Sequence, residues 1–122
     1  MLDNLPNVTT GQEWLIDAAG CEPGRLRDAS VLARLCEQLV VQLGLAVVAP
    51  PQWHTFPGEG GVTGLLLLSE FHLAVHTFPE HGFLALNLYS CRERAAPDFG
   101  ALCREAVGAA RVQLRELKRG PA

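Results

Sequence analysis

The chain of 122 residues has no excess of basic residues: ten Lys and Arg stand against thirteen Asp and Glu, for a formal net charge of -3. A nucleic-acid or anionic-membrane binder needs a basic face, so neither partner is expected. Aromatic residues are also few, with two Trp and one Tyr, and none is interleaved with basic residues. Long apolar runs are missing. The longest strictly apolar run, Leu65 to Leu68, is far short of the ~20 residues of a spanning helix. The opening MLDNLPNVTT lacks the basic and apolar regions of a signal peptide. Cys21, Cys36, Cys91 and Cys103 form no C-x-x-C pair, which argues against a zinc knuckle or redox motif. Reduced thiols in a cytoplasmic protein are the expectation.

What is present suffices for a core. Hydrophobic residues make up 48% and charged residues 19% of the chain, enough for one domain. Residues 1–10 read as a flexible lead, residues 11–118 as the domain and residues 119–122 as a frayed tail. Gln12 to Ala18 reads as a strand, ended by Gly20, Pro23 and Gly24. Asp28 to Leu43 is predicted to be a helix. Val31, Leu35 and Leu39 recur at four-residue spacing beside Leu32, Cys36, Val40 and Leu43, with Asp28 as N-cap and Gly44 just past the end. Leu45 to Ala49 reads as a strand and Phe56 to Gly61 as a mobile loop of the kind that covers sites. Val62 to Ser69 is expected as a strand buried on both faces. His72 to Thr77 and Phe83 to Tyr89 form a hairpin around Pro79 and Gly82. A second helix spans Pro97 to Ala110, with Pro97 at N1, and Arg111 to Leu117 is a last strand. The fold class is therefore α+β: a two-layer sandwich of an antiparallel sheet with two helices on one face. The other face needs cover, and a partner subunit is its simplest source.

Gly61 to Cys91 holds the residues that could carry chemistry. His72 and His76 would lie ~13 Å apart along a strand, too far to share one metal ion, and no metal site is expected. Cys91 with His76 could act as nucleophile and base, or be a buried thiol and a hydrogen-bonded core histidine. Glu70 and Glu80 could form a two-carboxylate pair. The glycines of Phe56 to Gly61 are not followed by the G-K-[ST] of a phosphate loop.

The same stretch resembles the prokaryotic S-adenosylmethionine decarboxylase proenzymes. The residues that carry the resemblance are Gly61-Val62-Thr63-Gly64, Glu70-Phe71-His72, His76-Thr77-Phe78-Pro79-Glu80, Gly82 and Cys91. Weaker similarity covers most of the domain. The resemblance implies a pyruvoyl enzyme of polyamine (spermidine) biosynthesis, built as a dimer with sites at or near the subunit interface. In that family a serine attacks the preceding carbonyl, an ester forms, and elimination cuts the chain to leave a pyruvoyl group as electron sink. The serine's position is occupied here by Phe71, which has no hydroxyl. No self-made pyruvoyl cofactor is therefore expected. A shifted cut between Leu68 and Ser69 would move the group ~6 to 7 Å.

By the same resemblance, His76 matches the processing histidine, Cys91 the proton donor, Thr63 the processing serine and Glu70 the residue before the cut. Glu80 matches a substrate-proximal glutamate, Phe78 an aromatic wall and Phe56 an aromatic that stacks on adenine. Three functions follow as expectations. The first is a non-catalytic binding or regulatory homologue, a homodimer or a heteromer with a processed paralogue. The second is a binder of S-adenosylmethionine or a polyamine-like ligand, or an enzyme of different chemistry, using Cys91 and His76. The third is a decarboxylase active by an unforeseen route.

Overall fold

The structure, a computed structural model, describes residues 10–121. The expected lead thus lies outside the described residues except for Thr10. Six strands and three α-helices follow in the order β1 (Gly11–Ala19), α1 (Pro23–Leu26), α2 (Ala29–Gln42), β2 (Gln52–Thr55), β3 (Val62–Leu68), β4 (Phe71–Phe78), β5 (Phe83–Ser90), α3 (Phe99–Val107) and β6 (Arg111–Arg119). The strands form one antiparallel sheet in the order β2-β3-β4-β5-β1-β6. This is the α+β sandwich expected from the sequence.

Alternation decides which face is buried. Trp14, Ile16 and Ala18 of β1, Leu73 and Val75 of β4, and Leu84, Leu86 and Leu88 of β5 point to the core. Leu32, Leu35, Cys36, Leu39 and Val40 of α2 meet them at helical spacing, with Phe99, Leu102, Cys103 and Val107 of α3. Each fully buried aliphatic side chain is worth roughly 1.5–3 kcal/mol over exposure, so this stripe holds α2 to the sheet. Asp28 caps α2 by accepting from Ser30 N at 3.0 Å, Leu43 is the C-cap, and Gly44 follows. Burial pushes the Cys36 thiol up to about 12 and the Cys103 thiol up to about 11, and raises Cys21. Those three thiols are packing groups.

Several elements differ from expectation. Val62 to Leu68 is buried on one face only: Leu65 and Leu67 are half exposed on the other, because every helix packs on the opposite side. Leu45 to Ala49 makes a single bridge, Val47 to Leu68. The strand forms instead as β2, after Pro50 and Pro51, which have no N–H to give to a ladder. α3 begins at Phe99, with Asp98 as N-cap accepting from Ala101 N at 2.9 Å, so Pro97 precedes the helix instead of occupying N1. That helix stops at Val107, where Gly108 turns left-handed with φ 68°. The four residues of α1 were too short to show periodicity. β6 runs to Arg119, so Arg119 is a paired strand residue rather than frayed tail, and its Nη1 donates to Glu13 at 2.8 Å. Among the described residues, no helix is long and apolar enough to cross a membrane.

Candidate functional site

The face of the sheet without helices carries the candidate residues. Thr63, Leu65 and Leu67 of β3, His72, Ala74, His76 and Phe78 of β4, and Phe83, Ala85, Asn87 and Tyr89 of β5 all sit on it, at alternate positions. The residues fall into two groups at opposite ends of β4.

The first group surrounds a cavity of about 370 Å³ lined by Phe56, Glu59, Thr63, His76, Phe78 and Glu80 among others. That volume is in the range of small-molecule pockets. Thr63 and His76 are direct cross-strand partners, and Thr63 Oγ1 lies 2.9 Å from His76 Nδ1. The floor is held by Thr77, a buried residue whose Oγ1 donates to Leu26 O at 2.7 Å and accepts from Val62 N at 2.9 Å. The wall is the Phe56 to Gly61 loop. It is tied down rather than free, since Arg27 Nε donates to Glu59 O at 2.9 Å and Phe56 N donates to Gly61 O at 2.8 Å. A Cβ at Gly61 would stand 2.7 Å from Thr77 O, so only glycine lets the loop return this close to β4.

The second group lies at the β3–β4 turn. Leu68 pairs with Phe71 across the turn residues Ser69 and Glu70. Phe71 has φ 80° and is the one positive-φ residue other than glycine among those described. A left-handed L-residue costs roughly 1–2 kcal/mol, and this position of a hairpin usually takes glycine. The Phe71 ring packs edge-on to Tyr89 with centroids 4.8 Å apart. Glu70 bonds Arg94 Nη2 at 2.6 Å and lies 3.8 Å from both Arg92 Nε and Cys91 Sγ. These partners, Arg94 first, hold the Glu70 carboxyl below its ordinary value. Ser69, the nearest hydroxyl, is exposed at the turn and paired with the 46–48 segment along the β3 edge: its Oγ accepts from Ala46 N at 3.4 Å and its N donates to Ala46 O at 2.8 Å.

His76 and Cys91 are not brought together within one chain. His76 pairs with Ala85, and Cys91 lies six residues further along, ~20 Å at strand rise. Glu70 and Glu80 are likewise at opposite ends of β4, which removes the two-carboxylate arrangement. Among the described residues no three His, Cys, Asp or Glu side chains converge as a metal site. At the second group, the side chain at 71 is a benzyl group packed against Tyr89. Sequence reasoning missed Glu59, Thr77 and Arg94. The charged run Cys91-Arg92-Glu93-Arg94 was visible, but nothing local told which carboxylate it serves.

Taken together, an antiparallel α+β sandwich with a threonine-histidine pocket on its open face defines a class of small sheet proteins with one uncovered layer. The S-adenosylmethionine decarboxylase family profile matches residues 12–120. The chain is 31% identical over 113 residues to S-adenosylmethionine decarboxylase proenzyme 2 of Halalkalibacterium halodurans, covering 92% of this chain and 87% of that one. It is 32% identical over 113 residues to the S-adenosylmethionine decarboxylase proenzyme of Pyrococcus horikoshii, covering 92% and 80%. The crystal structure of the adenosylmethionine decarboxylase of Aquifex aeolicus has the same fold, with TM-score 0.77, 24% identity and 93% of each chain covered. The chain belongs to the S-adenosylmethionine decarboxylase family.

Proposed function

We propose that this chain is a non-processing member of its family, a cytoplasmic binding or regulatory subunit of polyamine (spermidine) biosynthesis. The observation that carries the reading is Phe71, at the position where the resemblance expects the cofactor-forming serine, at the opposite end of β4 from a pocket that keeps Thr63 and His76 in hydrogen-bond contact. Ser69 is a poor substitute, since its hydroxyl already accepts from Ala46 N and lies two residues before Phe71. The open face supports a partner. Leu65, Leu67, Phe71 and Phe78 are 39–56% exposed there, an apolar surface a second sheet would cover. A copy of this chain or a processed paralogue, packed antiparallel across the face, would set its own turn end over this chain's pocket. The test is purification from the native cell followed by intact mass and identification of co-purifying chains. One uncleaved species with a processed decarboxylase attached is the expected result. A cleaved chain contradicts the non-processing reading, and an uncleaved chain that associates with neither itself nor a paralogue contradicts the subunit role.

The pocket itself favours a second reading, in which the chain binds a small molecule. Phe56 and Phe78 supply aromatic walls, and Glu59 and Glu80 supply carboxylates. S-adenosylmethionine, its decarboxylated product and the polyamines are the ligands to titrate by calorimetry. Binding that is lost in Glu80→Gln supports this reading, whereas no heat from any of them removes it. Chemistry with Cys91 and His76 would need two chains, given their separation in one. Activity as a decarboxylase by another route is tested by release of carbon dioxide from labelled substrate.

A further inference from the structure

Arg94 follows β5 and binds three separate parts of the fold. Its backbone N donates to Gln12 Oε1 at 2.9 Å at the start of β1. Its Nη1 donates to Leu43 O at 2.7 Å, the C-cap carbonyl of α2. Its Nη2 donates to Glu70 Oε2 at 2.6 Å in the β3–β4 turn. The last turn of α2 has no basic residue of its own, so Arg94 also brings a cation to that negative helix end. Arg94 and Glu70 have side chains 22% and 18% exposed, which makes this the least exposed ion pair of the described residues. Its Nε is buried without a partner. The group therefore keeps both Nη bonds while one donor goes unmet, which marks the placement of the two Nη groups as the constraint.

The next residue after Glu70 is Phe71, held at φ 80°. Phenylalanine has no preference for that region, so something outside it must impose the conformation. The Tyr89 contact is an edge-on ring contact at the surface and can follow the backbone. The Glu70 clamp is fixed from both layers and cannot. We propose that Arg94 is a positioning residue: by gripping Glu70 from the helix layer and β1, it holds the β3–β4 turn in the conformation that presents Phe71 on the open face. Arg92, 75% exposed and 3.8 Å from Glu70, is a peripheral partner. This inference does not depend on a ligand, and it concerns the chain with its Glu70–Phe71 bond intact.

The test is a double-mutant cycle of Arg94→Ala and Phe71→Gly, read by urea unfolding of the full chain. Phe71→Gly removes both the ring and the left-handed cost. If Arg94 imposes the conformation, the effect of Phe71→Gly changes by at least about threefold in the unfolding equilibrium constant when Arg94 is absent, as for contacting residues. Arg94→Lys, which can keep one of the two side-chain bonds, is expected to fall between. The accompanying signature is the ring-current shift of the Phe71 and Tyr89 protons by NMR, which moves in Arg94→Ala and returns part of the way in Arg94→Lys. Coupling below threefold, or ring resonances unchanged in Arg94→Ala, overturns the proposal. Should Arg94→Ala not fold, Glu70→Gln enters the same cycle from the other end of the pair, with the same two outcomes.

Discussion

Phe71 combines two properties: it has no hydroxyl, and its backbone holds a positive φ of 80°. The side chain is the easier to change. Phe71→Ser puts a hydroxyl at a turn the scaffold already builds, and partial self-cleavage into residues 1–70 and 71–122 is the expected outcome by intact mass if a second chain brings its Thr63 and His76 to this turn. A variant that stays whole after prolonged incubation would place the block elsewhere in the site. Thr77 governs the pocket in a different way. Its hydroxyl is buried and makes two bonds, one to Leu26 O and one from Val62 N. Thr77→Val keeps the shape and strands both partners. A loss of about 1–3 kcal/mol in urea unfolding is expected, and a stability equal to the parent's would show that the loop and α1 do not depend on that hydroxyl.

At the scale of elements, the β3–β4 turn and the pocket loop are both fixed by charges from distant parts of the chain. The Glu70 carboxyl is held below its ordinary value chiefly by its bond to Arg94. The folded chain thus binds that proton less readily than the unfolded chain, and the stability contributed is full above the ordinary carboxylate value of ~4.3. It is lost as pH falls through the folded value. Asp28, lowered by its bonds from Ser30, acts with the same sign at the start of α2. Melting temperatures measured from pH 7 to pH 3 are expected to fall in acid, and Glu70→Gln to lower the neutral value while flattening the acid limb. An unaltered slope in Glu70→Gln would mean that this pair does not contribute. The elements also show what a sequence can reveal. α2 was legible because its apolar spacing is local and Asp28 and Gly44 bracket it. The β4–β5 hairpin was legible because Pro79 and Gly82 mark its turn. β2 was misplaced because two prolines push the pairing beyond them, and α1 is shorter than one period of the pattern that would reveal it. The distance between His76 and Cys91 depends on strand register. Arg27 with Glu59, and Arg94 with Glu70, pair residues 32 and 24 positions apart. None of these is written in spacing.

At the scale of the whole molecule, one layer of helices covers one face of a six-stranded sheet, and the other face holds the pocket, the turn and the exposed leucines. A chain of 122 residues buries only part of its surface alone, so association across this face agrees with both its composition and the separation of the two groups of site residues. Leu67, 56% exposed on the open face beside the β3–β4 turn, is the position to test. Leu67→Glu is expected to shift the chain to monomer by analytical ultracentrifugation with its circular dichroism unchanged. An oligomer that survives the charge is held by some other surface. A non-processing chain stays whole. The measurement that bears on it most directly is the intact mass of the purified native chain after borohydride treatment. A single uncleaved species near 13.2 kDa with no reducible carbonyl is the predicted result. Two fragments, the second bearing a borohydride-sensitive group at its N-terminus, would contradict it.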